Sequence, residues 1–240
     1  EDICKQYPET SVAITLDVTK KQEINLAIKT ITKTFGGLDI LVNNAGYGYL
    51  AAIEEGEDEE VRRLFETNFF GALELTKAAL QGMRSQKFGR IINNSSQAGI
   101  MANPGTGYYS SSKFALEGLM EALDKELRPL NIAVTSVQPG AFRTDWSGRS
   151  MKRSKNEIPD YKEHVKERID MISAIDGKQP GDPVRAAKII FELTRNQNPP
   201  NKLLLGAGVL QTYKEKLKDL SKQIDEYEEI TLSADFPKTD

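Results

Sequence analysis

The sequence predicts an α/β fold, a doubly wound parallel sheet with helices on both faces. Two observations carry this. Short β-branched runs alternate with helix-length amphipathic stretches along most of the chain, the pattern of parallel strands joined by crossover helices. Most of these runs end in small or polar residues, namely Asp17, residues 43–46, Ser95-Ser96 and Pro139-Gly140. Open parallel sheets bind ligands beyond the carboxyl ends of their strands, so these ends are expected to form one rim.

Taken in order, residues 11–18 (SVAITLDV) read as a buried strand. Ile24, Ile28, Ile31 and Phe35 recur at helical spacing, and Gly36-Gly37 ends that helix. Residues 38–42 form the next strand and lead into Asn43-Asn44-Ala45-Gly46. A long helix is expected over 58–83, with Val61, Leu64, Phe65, Phe69, Leu73, Ala79 and Leu80 on its buried face. Asn68 sits inside it, where asparagine is a poor helix former. A local rule broken in this way hints at function. Residues 90–94 form a strand ahead of Ser95-Ser96. Residues 108–128 form a helix with Leu116, Leu119, Met120, Leu123 and Leu127 inward, and 132–137 a strand ending at Gln138-Pro139-Gly140. A helix over 183–195 and a short strand over 202–205 complete the pattern.

Two segments depart from it. Residues 145–181 are long and polar, as a substrate lid would be, and the stripe Tyr161, Val165, Ile169 and Ile172 suggests one helix inside. In the tail, 210–240, Leu210, Tyr213, Leu217, Leu220, Ile224 and Tyr227 alternate by three and four. That spacing suits a coiled-coil seam, but the stretch is short for one, so docking on its own domain is expected.

Composition narrows the function. Of 240 residues, 39% are hydrophobic and 28% charged, and the net charge of -3 gives no pull toward nucleic acid. No apolar run has the length of a membrane span. Cys4 is the only cysteine, which excludes an internal disulfide and points to a reducing, cytoplasmic setting. His164 is the only histidine and lies in a polar stretch. A zinc site or a Ser-His-Asp triad elsewhere would have to do without one.

The chemistry gathers at Ser95-Ser96 and Tyr109-x-x-x-Lys113. A phenol and an ammonium four residues apart share a helix face. A tyrosine pKa near ~10 is too high for a base at neutral pH. A lysine ~4 Å away, at an effective dielectric of ~20, would lower it by about three units. Tyr108 is the rival, but its fourth neighbour is the uncharged Ser112. Side chains alternate along a strand, so only one of Ser95 and Ser96 is expected to face the site. Asn43–Gly46, Pro139-Gly140 and Asp17 could each be an ordinary turn or cap, or a wall against which a ring or ribose packs.

Together these residues resemble the short-chain dehydrogenase/reductase family, from about residue 11 to residue 205. The resemblance rests on Asn-Asn-Ala-Gly at 43–46, Asn68, Ser-Ser at 95–96, Tyr-x-x-x-Lys at 109–113 and Pro-Gly-x-x-x-Thr at 139–144. The separation from Ser96 to Tyr109 selects Ser96 over Ser95. The sequence around 44–48, 107–109 and 139–146 looks like a hydroxysteroid- or retinol-dehydrogenase-like branch. The resemblance implies a single NAD(P)-binding Rossmann domain over 1–240. Tyr109 is then the general acid or base, Lys113 lowers its pKa and holds the nicotinamide ribose, Ser96 binds the substrate oxygen, and Asn68 helps hold a relay water. It also implies adenine contacts at Asp17 and Val18, an adenosine-side wall of Asn44, Ala45 and Gly46, and nicotinamide and phosphate contacts at Pro139, Gly140, Phe142 and Thr144. Trp146 and Tyr161 are the expected lid contacts to substrate.

One departure stands out. The family's first strand, its Thr-Gly-x-x-x-Gly-x-Gly loop and its second strand have no counterpart in residues 1–240. The natural protein is expected to carry them. Without them, residues 11–18 would be cut off from the sheet and dinucleotide would bind poorly. The expected activity is NAD(P)-dependent interconversion of a secondary alcohol and a ketone or aldehyde, with NADP(H) favoured over NAD(H), in a homodimer or homotetramer. The alternatives are a catalytically idle dinucleotide-binding sensor or scaffold, and a 3-ketoacyl-carrier reductase docking through Arg149, Lys152, Arg153 and Lys155.

Overall fold

In the computed structural model, which describes residues 2–146, 148 and 150–236, the main sheet has four parallel strands. These are β1 (Ile40–Asn43), β3 (Gly89–Asn94), β4 (Ile132–Pro139) and β6 (Lys202–Leu205), in the order β1-β3-β4-β6. β2 (Gly48–Leu50) and β5 (Met151–Arg153) pair in parallel as a separate ribbon. The central strands β3 and β4 are buried almost throughout, as strands covered on both faces are.

Helices cover both faces. A short α1 (Asp2–Gln6) precedes α2 (Lys21–Phe35), which ends where Gly36 takes a left-handed φ of 84° and donates its N–H to the Thr32 carbonyl. α3 (Asp58–Phe65), α4 (Ala72–Gln86) and α5 (Gly107–Leu127) follow. On this side Ile24, Leu75, Met83, Leu116 and Met120 pack with Leu41, Ile91 and Val134 of the strands in the main core cluster. The other face belongs to α7 (Pro183–Arg195), whose Asp182 cap accepts from the Val184 and Arg185 N–H groups and whose first residue is proline. Leu193 there packs with Ile92, Val137 and Leu205. Register explains the division, because Leu41 pairs with Ile91 and Val42 with Ile92, and neighbours along a strand face opposite sides. Val42 lies on the α7 side at the sheet edge and is 46% exposed. α6 (Glu167–Ala174), α8 (Ala207–Glu226) and α9 (Glu228–Leu232) complete the chain.

Three expectations are corrected. Residues 11–18 form no strand; they run irregularly, with Leu16 and Val18 resting on the main core. Among the described residues no strand pairs with the outer edge of β1, and a β-branched run without a ladder partner leaves its backbone groups to water. The helix over 58–83 is not continuous. A π-helical turn, Glu66–Gly71, separates α3 from α4 and carries Asn68. The tail docks only in its first part. Val209 is fully buried, whereas Leu217, Leu220, Ile224 and Tyr227 are exposed. Among the described residues no helix is long and apolar enough to cross a membrane, and no group of three His, Cys, Asp or Glu could hold a metal.

Candidate active site

The carboxyl ends of β1, β3, β4 and β6 open into one cavity of about 920 Å³. Ser96, Tyr109, Pro139, Gly140, Phe142, Thr144 and Trp146 all line it, as does Asn44. Ser96 leaves β3 in extended backbone and caps the next turn, its Oγ accepting from the Ala98 N–H at 3.0 Å. Ser95 also borders the cavity, but it is buried and its Oγ has no hydrogen-bond partner. The Ser96 and Trp146 side chains lie close enough to the Tyr109 hydroxyl to act on its titration, and the Tyr109 ring lies 5.4 Å from that of Trp146. Tyr108 is tied elsewhere, donating to the Ile53 carbonyl and leaning on Tyr49.

Electrostatics here run against the expectation. Burial pushes the Tyr109 hydroxyl up to about 12, and the neighbouring Ser96 and Trp146 side chains oppose this without reversing it. Lys113 does not lower it. Its Nζ lies 5.8 Å from the Tyr109 ring centroid and donates to the Asn94 carbonyl at 2.8 Å. Burial pulls Lys113 itself down to about 8, with the Glu117 carboxylate pulling the other way. Both groups are 5% exposed, and desolvation disfavours whichever form is charged.

Asn68 holds the site together from the π-helical turn. Its Oδ1 accepts from the Tyr47 N–H at 3.0 Å, and its Nδ2 donates to the Tyr47 carbonyl at 2.9 Å and to Ser112 Oγ at 3.2 Å. Ser112 Oγ in turn donates to the Tyr109 carbonyl at 2.7 Å. The loop after β1, the interrupted helix and the helix bearing Tyr109 are thereby joined. Sequence reasoning passed over Ser112 because it carries no charge; its place one turn from Tyr109 was the only signal. Gly46 is open toward this cluster. A Cβ there would stand 3.1 Å from Asn68 Oδ1 and 3.8 Å from Lys113 Nζ, so the bare backbone leaves room for a ring or ribose to approach. The residues present thus fit the nicotinamide end of a dinucleotide.

Other predicted contacts fall outside the cavity. Asp17 accepts from the Thr19 N–H and hydroxyl and pairs with Lys20, so it serves its own turn. Val18 rests on the main core. Ala45 and Gly46 are exposed beside the cavity rather than in its lining. Tyr161 hydrogen-bonds Glu54 and packs beside Leu50, Ala52, Val165 and Ile169, away from the cavity. From the lid segment Trp146, Arg168, Ile172, Ile175 and Gln179 line the wall. Of the basic run, Lys152 pairs with Glu60 at 2.7 Å and Arg153 with Asp170 at 3.5 Å, while Arg149 lies outside the described residues.

The family model for short chain dehydrogenases matches residues 1–155. The chain belongs to the short-chain dehydrogenase family. An uncharacterised oxidoreductase of Schizosaccharomyces pombe is 35% identical over 99% of this chain and 83% of its own length. A short-chain dehydrogenase from Streptomyces avermitilis has a solved structure with a TM-score of 0.91 at 35% identity, covering 98% of this chain and 86% of that one. ElxO with NADP bound matches at a TM-score of 0.69 and 27% identity, over 88% of this chain and 82% of its own. The parallel sheet wrapped by helices is the Rossmann-type fold of these short-chain dehydrogenases, and the protein is an oxidoreductase of that family.

Proposed function

We propose that this short-chain dehydrogenase interconverts a secondary alcohol and a ketone or aldehyde at the cavity lined by Ser96 and Tyr109. The observation that carries the reading is that Ser96 and the buried Tyr109 line one cavity together at the rim where parallel strands end. NAD(P) supplies the hydride when bound. Asn44, Ala45 and Gly46 would wall its adenosine side, Pro139, Gly140, Phe142 and Thr144 would hold its nicotinamide and phosphates, and Lys113 would take the ribose hydroxyls in exchange for the Asn94 carbonyl. Asp17 and Val18 remain the proposed adenine contacts. ElxO carries NADP, which supports NADP(H) over NAD(H) here.

In reduction, Tyr109 gives its proton to the substrate oxygen while Ser96 donates a hydrogen bond to that oxygen. In oxidation the proton returns. A hydroxyl held at about 12 stays protonated at neutral pH, which suits the donor in reduction. A water held at the π-helical turn by Asn68 returns the proton to Tyr109 through Lys113. Trp146 closes the cavity over substrate. Exposed Phe70 and Phe114, on the helical surfaces that the resemblance pairs, support a homodimer or homotetramer. The cytoplasm is the setting that the lone Cys4 suits.

The test is turnover of NADPH and NADH against a panel of ketones. Tyr109→Phe is expected to lower kcat by about 10²- to 10⁴-fold while leaving cofactor affinity near wild type; retained turnover contradicts the reading. A catalytically idle binding protein would show affinity for the cofactor and no turnover with any carbonyl. Docking of an acidic acyl carrier is disfavoured because Lys152 and Arg153 are already paired within the chain.

A further inference from the structure

Arg168 is the only charged side chain among the described residues that line the cavity. It stands on α6, where Arg168 and Ile172 lie one turn apart, with Ile175 just past the helix end, and all three line the cavity. The rest of the helix is anchored. Ile169 and Val165 lie over the loop before Tyr109, so closely that a Cβ on Gly105 would stand 2.8 Å from Ile169 Cγ1. Asn103 and Thr106 of that same loop line the cavity too. Arg168 therefore belongs to the end of the cavity nearest the Tyr109 helix.

Its Nε is buried with no hydrogen-bond partner, and among the described residues Arg168 forms no ion pair. No carboxylate lines the cavity with it. Leaving a buried donor of a charged side chain without a partner is costly. A lysine can relieve that cost by shedding its proton, as Lys113 partly does, but a guanidinium stays charged and offers a planar fork matched to carboxylate oxygens. Most of the cavity lining is apolar, Ile172, Ile175, Met101 and Phe142 among it.

We infer that the substrate has an apolar body ending in a carboxylate, and that Arg168 receives the carboxylate while the reacting carbonyl lies at Tyr109. This rests on the proposed redox reading and adds the substrate class to it. Arg168 sets specificity and takes no part in hydride or proton transfer.

The experiment uses the full chain and methyl-ketone acids of increasing length, each against the neutral methyl ketone of equal carbon count, with 7-oxooctanoate and octan-2-one among them. Trp146 is the only tryptophan in the sequence and lines the cavity, so its fluorescence reports binding without turnover. The same pairs are then run as substrates. At least one keto acid is expected to bind and turn over about 10- to 100-fold better than its neutral partner, the range of a charge-assisted hydrogen bond. Arg168→Met is expected to erase that preference through KM with kcat for the neutral ketone unchanged, and Arg168→Lys to keep part of it. If no keto acid binds more tightly than its neutral partner, or if Arg168→Met keeps the preference, the inference is overturned even though ketones are reduced. Arg168-dependent binding of keto acids without any hydride turnover would instead uphold the anion site and overturn the redox reading.

Discussion

At the scale of the residue, burial decides the chemistry of the site. Tyr109 and Lys113 share the spacing that suggests a lysine-lowered phenol, yet desolvation moves each toward its neutral form. This has a consequence for stability. Between pH 8 and 10.5 the folded chain holds Lys113 neutral while the unfolded chain keeps it protonated. The unfolded state then binds more protons, so stability rises with pH across that window. Relative to Lys113→Met, the wild type is expected to gain on the order of 3 kcal/mol from pH 8 to 10.5, read by urea denaturation at a series of pH values. Tyr109 acts in the opposite sense and higher up. Its raised value means that its contribution is intact below pH 10 and is lost as pH rises through about 12. A wild-type curve parallel to that of Lys113→Met would show that the lysine is not desolvated.

At the scale of the element, the interrupted helix is the feature that matters. Asn68 was legible as an oddity because asparagine belongs at caps and turns, and the structure places it in a π-helical turn, a feature often found at functional sites. Its clamp was not legible, since its partners are the Tyr47 backbone and Ser112, which no side-chain pattern announces. Asn68→Ala would leave the buried polar groups of that clamp without partners. A loss of about 1–3 kcal/mol for each buried group orphaned is expected in denaturant unfolding. The drop in kcat should exceed that in an equally destabilised variant remote from the site. Equal activity loss in the two variants would reduce Asn68 to a structural role. The lid shows the limit of pattern reading. The stripe Tyr161, Val165, Ile169 and Ile172 correctly marked helical structure, which begins as a π-helical turn over Lys162–Lys166 and continues as α6. A stripe says which residues share a face, not what the face meets. Tyr161 went to the Leu50 cluster, and Arg168, outside the stripe, went to the cavity.

At the scale of the whole molecule, the strands of the main sheet and the rim at their polar ends were readable from alternation, apart from Asp17, which lies off that rim. β1, β3, β4 and β6 lie where the sequence runs predict them. Residues 11–18 failed as a strand for a reason outside their own sequence, because pairing is decided by a neighbour and β-propensity alone does not provide one. The β2–β5 ribbon escaped for the same reason, being two short runs distant in sequence. The tail divides at about Leu217. Its first turns are fastened by Val209, by Gln97 bonding Thr212, and by Lys216 reaching the Ile100 carbonyl, while α9 buries nothing. Ending the chain at Tyr227 is therefore expected to change unfolding free energy by less than about 0.5 kcal/mol. Val209→Asp, which puts a charge in a fully buried position, should cost several kcal/mol. Comparable losses in the two variants would mean that the exposed stripe is covered in solution.

The central claim is that Tyr109 moves the proton for a hydride transfer at this cavity. The most direct measurement is steady-state oxidation of NADPH by the wild type and by Tyr109→Phe over a ketone panel, with cofactor binding measured alongside. The account predicts turnover by the wild type, a loss of about 10²- to 10⁴-fold in the variant and unchanged cofactor affinity. Turnover by Tyr109→Phe at the wild-type rate would contradict it.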